Sequence, residues 1–257
     1  MNSPIVHPDF YSGISGLQIP IPKYRFPEEF QSFSRLQYYA TLFNSIEINS
    51  SFYKVPKGTT VGNWADSVGD HFCFTYKLWR DITHVKPFIV DEAKVETFMT
   101  SVNNAGAKSG CLLIQFPPGL KIGSLQEVDV LLGCVRKYDT SQRWRIAVEW
   151  RNNTWDDELA YEMLAEHQAS MVIHDKTKSA SPMLNMTTDF VYVRFHGPSG
   201  DYRGSYSHDF LAEYADYIKE WLHVGKTVYA YFNNTMGDAI SNLESLNGLV
   251  RDNLLNS

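Results

Sequence analysis

Residues 190–196 read Phe-Val-Tyr-Val-Arg-Phe-His, an alternation of apolar and polar side chains from which the type of fold can be predicted. Tyr192, Arg194 and His196 occupy alternate positions, and apolar residues stand between them. In a β-strand, residues two apart share a face, so one face of this run is apolar and the other becomes polar toward the carboxyl end. The pattern predicts a strand that packs its apolar face on helices and carries ionisable side chains where it ends.

The same unit recurs along the chain, as a short apolar run that ends in polar residues and precedes a segment with helical spacing. Eight runs have this form: 11–15, 45–49, 72–77, 111–116, 145–151, 170–175, 190–196 and 227–233. Helices are predicted over 34–43, 91–104, 156–168 and 209–221. Alternating strands and helices indicate an α/β protein with a parallel sheet. Eight units in 257 residues match the usual size of a TIM-like (β/α)8 barrel, which we predict as a single domain over residues 1–257.

One crossover departs from this regular alternation. Residues 175–190 include Pro182 and show little amphipathic pattern. We therefore predict an irregular or missing helix after the sixth strand.

The composition and the net charge of the chain indicate its cellular compartment and narrow the classes of partner it can bind. The chain has 23 Lys and Arg against 29 Asp and Glu, a net charge of -6, so it has no overall basic field for nucleic acid or an anionic membrane. Its 3 cysteines are far apart and form no C-x-x-C pair, which is typical of a reducing, cytoplasmic protein. No stretch reaches the roughly 18 unbroken apolar residues of a membrane span, so no membrane partner is expected.

Ionisable and amide side chains end six of the runs on the face that lies opposite the apolar one. Burying such groups costs several kcal/mol unless they are paired, which favours a ligand site at the carboxyl ends of the strands, where barrel enzymes have their active sites. The alternative is a mutually satisfied polar layer. The candidate residues at or just after the strand ends are Glu47, Asn49, Tyr53, Lys77, Gln115, Glu149, Arg151, Asp175, Arg194, His196, Tyr231, Asn233 and Asn234.

The signs of these charges predict an anionic small-molecule ligand. Basic residues outnumber acidic ones at the predicted mouth. The loop 196–206 is rich in glycine and follows the seventh predicted strand, where this fold usually binds phosphate. Tyr202, Arg203 and Gly204 in this loop are candidate contacts to the ligand. Tyrosines beside cations also stack on single-stranded nucleic acid, but the acidic net charge makes that partner less favoured.

Two further chemistries remain open. Glu47 and Glu149 are the residue types that glycoside hydrolases use as acid and base or nucleophile. Glu47, Glu149, His174, Asp175 and His196 are metal-ligand types, but they form no compact metal-binding motif. No cofactor is therefore predicted, and a divalent metal ion is kept as the less favoured alternative.

Ordered motifs extend over nearly the whole chain. They include Gly13-Ile14-Ser15-Gly16, Glu47-Ile48-Asn49, Lys77 with Ile82-Thr83-His84, Gln115-Phe116-Pro117-Pro118, Glu149-Trp150-Arg151, Tyr192-Val193-Arg194-Phe195-His196-Gly197, Tyr202-Arg203-Gly204 and Tyr231-Phe232-Asn233-Asn234. These motifs resemble those of the YecE-like family, a group of barrel proteins designated domain of unknown function 72. In that family the first motif usually reads Gly-Thr-Ser-Gly-Trp, whereas here Ile14 replaces the threonine and Leu17 the tryptophan. The resemblance implies a TIM-like barrel with its motifs at the carboxyl ends of the strands, and it implies no particular reaction.

These observations favour an enzyme of hydrolase or lyase type that acts on an anionic, phosphorylated or nucleotide-like substrate. Glu47 or Glu149 is the predicted general base and His196 the proton donor or acceptor. The basic residues neutralise developing charge, and the amide side chains orient the substrate. The alternative from another class is a non-catalytic module that binds an anionic metabolite or a nucleic-acid end.

Overall fold

The computed structural model describes residues 4–176, 179, 181 and 188–255. Its strands all pair in parallel, which confirms the predicted α/β class. The strands are β1 (Phe10–Ile14), β2 (Ser45–Ile48), β3 (Cys73–Lys77), β4 (Ser109–Gln115), β5 (Arg145–Glu149), β6 (Ala169–Met171), β7 (Ile173–His174), β8 (Phe190–Phe195) and β9 (Thr227–Phe232).

Eight α-helices occur among the described residues. They are α1 (Arg35–Leu42), α2 (Gly58–Asp66), α3 (Arg80–Thr83), α4 (Glu92–Val102), α5 (Leu125–Tyr138), α6 (Glu158–Glu166), α7 (His208–His223) and α8 (Ala239–Leu255). The four predicted helices correspond to α1, α4, α6 and α7, each of which begins after a side-chain cap from Ser34, Asp91, Asp157 or Ser207. No helix in the described part of the chain is both long and apolar enough to cross a membrane.

The strands form two sheets, in the orders β1-β9-β8-β7 and β2-β3-β4-β5-β6. The predicted run 170–175 is divided at Val172 into β6 and β7, although the Val172 amide still donates to the Val148 carbonyl of β5 over 2.8 Å. Between β1 and β2 a single parallel bridge joins Ser15 to Glu47. The predicted irregular crossover falls mostly on residues 177–178, 180 and 182–187, outside the described residues.

The two faces of the strands have different surroundings, as the alternation predicts. Ile46, Val148 and Phe195 belong to the large apolar core that also includes the helices. Leu113, Ala147 and Tyr192 point the other way, into a smaller core between the strands. Every residue of β8 and β9 is buried, so the side chains at their ends are held at fixed positions by packing on both faces.

Candidate functional site

A buried ion pair between β2 and β8 forms the centre of the candidate site. Arg194 is 1% exposed and donates to both carboxylate oxygens of Glu47, from Nη2 to Oε1 over 2.5 Å and from Nε to Oε2 over 2.8 Å. Ser15 and Tyr192 also donate to Glu47, over 2.5 Å and 2.7 Å. Both oxygens therefore have two donors each, and the carboxylate is held in a fixed orientation.

These contacts determine the charge state of Glu47. Burial raises the pKa of its carboxyl, but the charge and hydrogen bonds of Arg194, with the hydroxyls of Ser15 and Tyr192, outweigh burial and lower the pKa below its ordinary value. Glu47 is consequently ionised at neutral pH and engaged on every side. This state suits an electrostatic and positioning role, and it leaves the predicted role of general base without a free lone pair.

Glu149, at the end of β5, is the second partner of Arg194. Its Oε2 accepts from Arg194 Nη1 over 2.7 Å, and its Oε1 forms an ion pair with Arg151 Nη2. Burial acts against the charged form, but the charges of Arg151 and Arg194 hold the pKa of Glu149 well below its ordinary value. The two glutamates are thus bridged by one guanidinium, and both are ionised.

His196, just after β8, lies against these arginines. Its Nε2 is 3.0 Å from Arg151 Nη2 and 3.2 Å from Arg194 Nη1. Because a guanidinium only donates, Nε2 must accept, which places the ring proton on Nδ1, 3.4 Å from Asp175 Oδ1. Burial lowers the pKa of His196 to about 4 despite Asp175. The ring is neutral at pH 7 with its lone pair in use, which disfavours the predicted role in proton transfer.

Asp175 links His196 to the loop after β8. Its Oδ1 accepts from the His196 backbone amide over 2.8 Å, and its Oδ2 accepts from the Tyr206 hydroxyl. The neighbouring His174 faces the Trp150 carbonyl, to which its Nε2 donates over 3.1 Å. Both members of this pair therefore contact the cluster. His174 pairs in register with Arg194 and packs its ring edge-on to His196 at 5.6 Å, whereas Asp175 accepts from the His196 amide.

The loop after β8, where a phosphate site is predicted, uses several of its own backbone amides. The amides of Gly197, Gly200 and Tyr202 donate within the loop, to Tyr206 Oη and to the carbonyls of Gly197 and His196. Gly204 turns the chain at φ 78, and the exposed Arg203 has no ion-pair partner among the described residues. The glycines therefore serve the turn. Amides that donate within the loop are not available to a ligand.

Lys77, at the end of β3, has a different environment from the other basic residues. Its side chain is 7% exposed, and Nζ lies over the Phe52 ring at 4.1 Å. Ser51 holds this end of the strand in place, because its hydroxyl accepts from the Lys77 amide over 3.1 Å. Burial and then the charges of Arg194 and Arg151 lower the pKa of Lys77 to about 7, against the opposing effect of the glutamates.

Arg151 retains unused donors beside this cluster. It is 8% exposed, and its Nε and Nη1 are buried without a hydrogen-bond partner among the described residues. The Oδ1 atom of Asn49 is likewise buried and unpartnered. Orphaned buried donors on a cation are costly, so they indicate a place for an acceptor such as a carboxylate, phosphate or carbonyl oxygen.

The remaining predicted residues lie around this cluster or away from it. Tyr202 is close to the cluster, with its ring 5.7 Å from that of His196. Tyr231 is fully buried in the inner core, where its hydroxyl lies 2.6 Å from Ser45 Oγ and 2.8 Å from Thr75 Oγ1, so it has no face free for stacking. Tyr53 is 64% exposed and makes an edge contact with Phe52.

The four predicted amide residues also differ in their hydrogen-bond partners. Gln115 donates from Nε2 to the Phe116 carbonyl over 3.2 Å. Asn234 supports the loop, because its Nδ2 donates to the Gly204 carbonyl over 3.0 Å, while Asn233 is buried at the end of β9. Of the four predicted amides, Asn49 and Asn234 each keep a buried Oδ1 atom without a hydrogen-bond partner among the described residues.

Three contributors were not selected from the sequence. Ser15 and Tyr192 complete the shell of Glu47, and strand parity already places Tyr192 on the face of Arg194. His84 packs edge-on to Phe52 at 5.0 Å, and burial with the charges of Lys77 and Arg80 lowers its pKa to about 4. His84 directly follows the short helix α3, seven residues after Lys77, and in the sequence it is marked only by the motif that it shares with the YecE-like family.

The donor set of the cluster suits anions better than metal ions. Within the described ranges no three His, Cys, Asp or Glu side chains come together in a way that could hold a metal. The oxygens of Glu47 and Glu149 face guanidinium groups, which occupy the positions a cation would need.

Fold and site together define a parallel α/β protein with a buried arginine–glutamate cluster where its strands end. The model of the family described as "Protein of unknown function DUF72" matches residues 11–256, and the chain belongs to this family. The resemblance to the YecE-like family is thereby confirmed.

The similar proteins fall in the same family. The chain is 26% identical over 248 residues to "UPF0759 protein YunF" of Bacillus subtilis, covering 84% of this chain and 86% of that protein. It is 26% identical to the UPF0759 protein YecE of Escherichia coli K12 over 102 residues, which cover 39% of this chain and 38% of YecE.

Solved structures support the fold. A DUF72 family protein from Enterococcus faecalis V583 superposes with a TM-score of 0.74 at 20% identity, covering 96% of this chain and 98% of that one. A DUF72 family protein from Thermotoga maritima MSB8 gives 0.71 at 23% identity, with 96% and 99% covered.

Proposed function

We propose that this chain is an enzyme of hydrolase or lyase type that binds an anionic small molecule at the carboxyl ends of β2, β3 and β5. The proposal rests on Arg151, a nearly buried cation whose Nε and Nη1 have no hydrogen-bond partner in the part of the chain that the structure describes. An anion that accepts from Nε or Nη1 would reduce the cost of leaving these donors unpaired. Lys77, with no acceptor for Nζ among the described residues, supplies a second positive charge in its protonated form.

The proposed site belongs to a (β/α)8 barrel formed as one domain. Two junctions support closure of the sheets. The Gly16 amide donates to the Glu47 carbonyl over 2.8 Å beside the parallel bridge of Ser15 with Glu47, joining β1 to β2. On the other side β6 continues into β7 through Val172 alone. In a closed barrel the strand ends converge, which is the arrangement that brings β2, β5 and β8 into contact through Arg194.

Proton transfer in this site requires a group whose pKa is near the working pH. Glu47 and Glu149 are ionised and His196 is neutral at pH 7, whereas the pKa of Lys77 is about 7. Lys77 therefore replaces His196 as the proposed reactive group, and Arg151 is the proposed substrate-binding residue. Because one guanidinium neutralises both glutamates, a glycoside hydrolase that needs one of them protonated is not favoured by this geometry.

The test combines binding with product analysis. The melting temperature of the full chain is measured with pyruvate, glycerol 3-phosphate or AMP, each also recovered and examined for conversion. At about 100 times the dissociation constant a ligand stabilises by about 2.7 kcal/mol, which corresponds to a rise of about 5 °C or more in a chain of this size. We expect such a rise with at least one anion, and conversion of that anion.

Variants locate the binding site. Arg151→Lys keeps the charge beside Glu149 but removes the guanidinium nitrogens, and we expect it to reduce the anion-induced rise by more than half. The matched control is Arg143→Gln, an exposed arginine next to the opposite ends of the strands. A rise that is equal in all three proteins, or absent with every anion, would overturn the proposal. Binding with recovery of unchanged anion would replace the enzyme with the non-catalytic module.

A further inference from the structure

The amino group of Lys77 is arranged for covalent chemistry as well as for charge. A lysine that serves only an ion pair points at a carboxylate, yet the carboxylates of Glu47 and Glu149 are turned to arginines. Among the described residues no oxygen accepts a hydrogen bond from Lys77 Nζ, which instead lies 4.1 Å from the centre of the Phe52 ring. The amine lone pair, once deprotonated, is therefore not engaged by the protein.

The surroundings of Lys77 favour its uncharged form. Burial and the two guanidinium groups of Arg194 and Arg151 act against the ammonium, so that a large part of the population is free amine at pH 7. His84, whose ring packs edge-on to Phe52, is also neutral because burial and nearby cations lower its pKa to about 4. An uncharged amine in a buried, cationic environment is the form that attacks carbonyl carbon.

We infer that Lys77 forms a Schiff base with a 2-oxo acid whose carboxylate is bound by Arg151. The inference rests on the anion site proposed above and names its substrate class. Arg151 is near enough to Lys77 for its charge to lower the pKa of that lysine, so a 2-oxo acid whose carboxylate accepts from Nε or Nη1 of Arg151 can present its adjacent carbonyl group to Lys77. Simple carboxylates or phosphates without a carbonyl group would bind and remain unchanged.

The step balances without a further reactant. The nitrogen lone pair of neutral Lys77 forms a bond to the carbonyl carbon, and the carbonyl π electrons move to oxygen to give a carbinolamine. The oxygen then leaves as water with the two protons that the amine carried, and a carbon–nitrogen double bond remains. Protonation of that nitrogen gives an iminium that withdraws electrons from the neighbouring carbon, which is the electron sink a lyase reaction requires.

Reduction with sodium borohydride tests the step directly, because it converts the imine to a stable secondary amine. The full chain is incubated with pyruvate or glyoxylate, reduced, and mapped by peptide mass spectrometry. We expect one adduct, on Lys77, with a yield that saturates with pyruvate concentration, and none with lactate. Lys77→Met and Lys77→Arg should each lose it, and Lys121→Met, at an exposed lysine, should keep it. Arg151→Lys should lower the concentration-dependent yield at least tenfold.

The outcomes separate this inference from the proposed function. Arg151-dependent stabilisation by pyruvate without a borohydride-trapped adduct would overturn the Schiff base and leave the anion site intact. Adducts spread over surface lysines in equal amounts in the wild type and in Lys77→Met would also overturn it. If pyruvate and glyoxylate give neither stabilisation nor adduct while another anion stabilises, the substrate class is wrong and the anion site stands. If no anion stabilises, both proposals fail.

Discussion

Arg194 donates to both carboxylate oxygens of Glu47, and the two side chains have no exposed surface. The two residues are 147 positions apart in sequence and meet because β2 and β8 end at the same place. The same guanidinium binds Glu149, so one cation fixes the relative position of two strands' carboxyl ends. Removal of such a centre leaves buried charge without compensation.

Arg194→Met should lower the free energy of unfolding by about 3–5 kcal/mol, because both glutamates lose a buried partner. Urea denaturation at pH 7 measures the change, and Arg143→Met is the matched control at an exposed position. Adding Glu47→Gln to the Arg194 variant should cost less than the sum of the single changes, since the second substitution removes a charge already unpaired. A loss below about 1 kcal/mol for Arg194→Met would contradict the structure.

Lys77 should make the protein more stable as the pH rises above neutrality. Its pKa is lowered from 10.5 to about 7 on folding, so between these values the unfolded chain binds a proton that the folded chain has released. The free energy of unfolding therefore rises with pH in this window, by about 2 kcal/mol from pH 7 to pH 9. Lys77→Met should remove this slope in urea titrations across the range. Equal slopes in both proteins would show that Lys77 keeps an ordinary pKa.

Tyr231→Phe should destabilise the chain without changing anion binding. The substitution leaves the hydroxyls of Ser45 and Thr75 without their shared partner, at a cost of about 1–2 kcal/mol. Thermal unfolding measures the loss, and the anion-induced rise in melting temperature should equal that of the wild type. Unchanged stability together with weakened anion binding would instead show that Tyr231 belongs to the anion site.

Gly197→Ala should disrupt the loop after β8. Gly197 has a φ of 96, and a Cβ atom there would stand 2.3 Å from the Arg203 carbonyl oxygen. The backbone of Arg203 has little room to move away, so we expect the free energy of unfolding to fall by at least about 2 kcal/mol. Gly123→Ala is the control, because no heavy atom lies within 4 Å of its added Cβ. Similar melting temperatures for the two variants would disprove the tight turn.

Prediction from sequence succeeded where the signal is local. Strand parity assigns Tyr192, Arg194 and Glu149 to the inner face, because alternation depends only on backbone geometry. It left the role of the loop 196–206 undecided, because the glycines there indicate turns and phosphate binding equally well. The amides of Gly197 and Tyr202 are used within the loop, which depends on the path of the folded chain.

The amino-acid sequence alone determined the α/β class, the order of the strands along the chain and the types of side chain at their ends, because periodicity and residue chemistry are local properties. The tertiary structure decided which side chains contact one another. It joined Arg194 to two glutamates from distant strands, neutralised His196, and left Lys77 and Arg151 with nitrogens that no described residue accepts from. Charge states and unpaired donors depend on distances and burial that arise only when separate strands pack together.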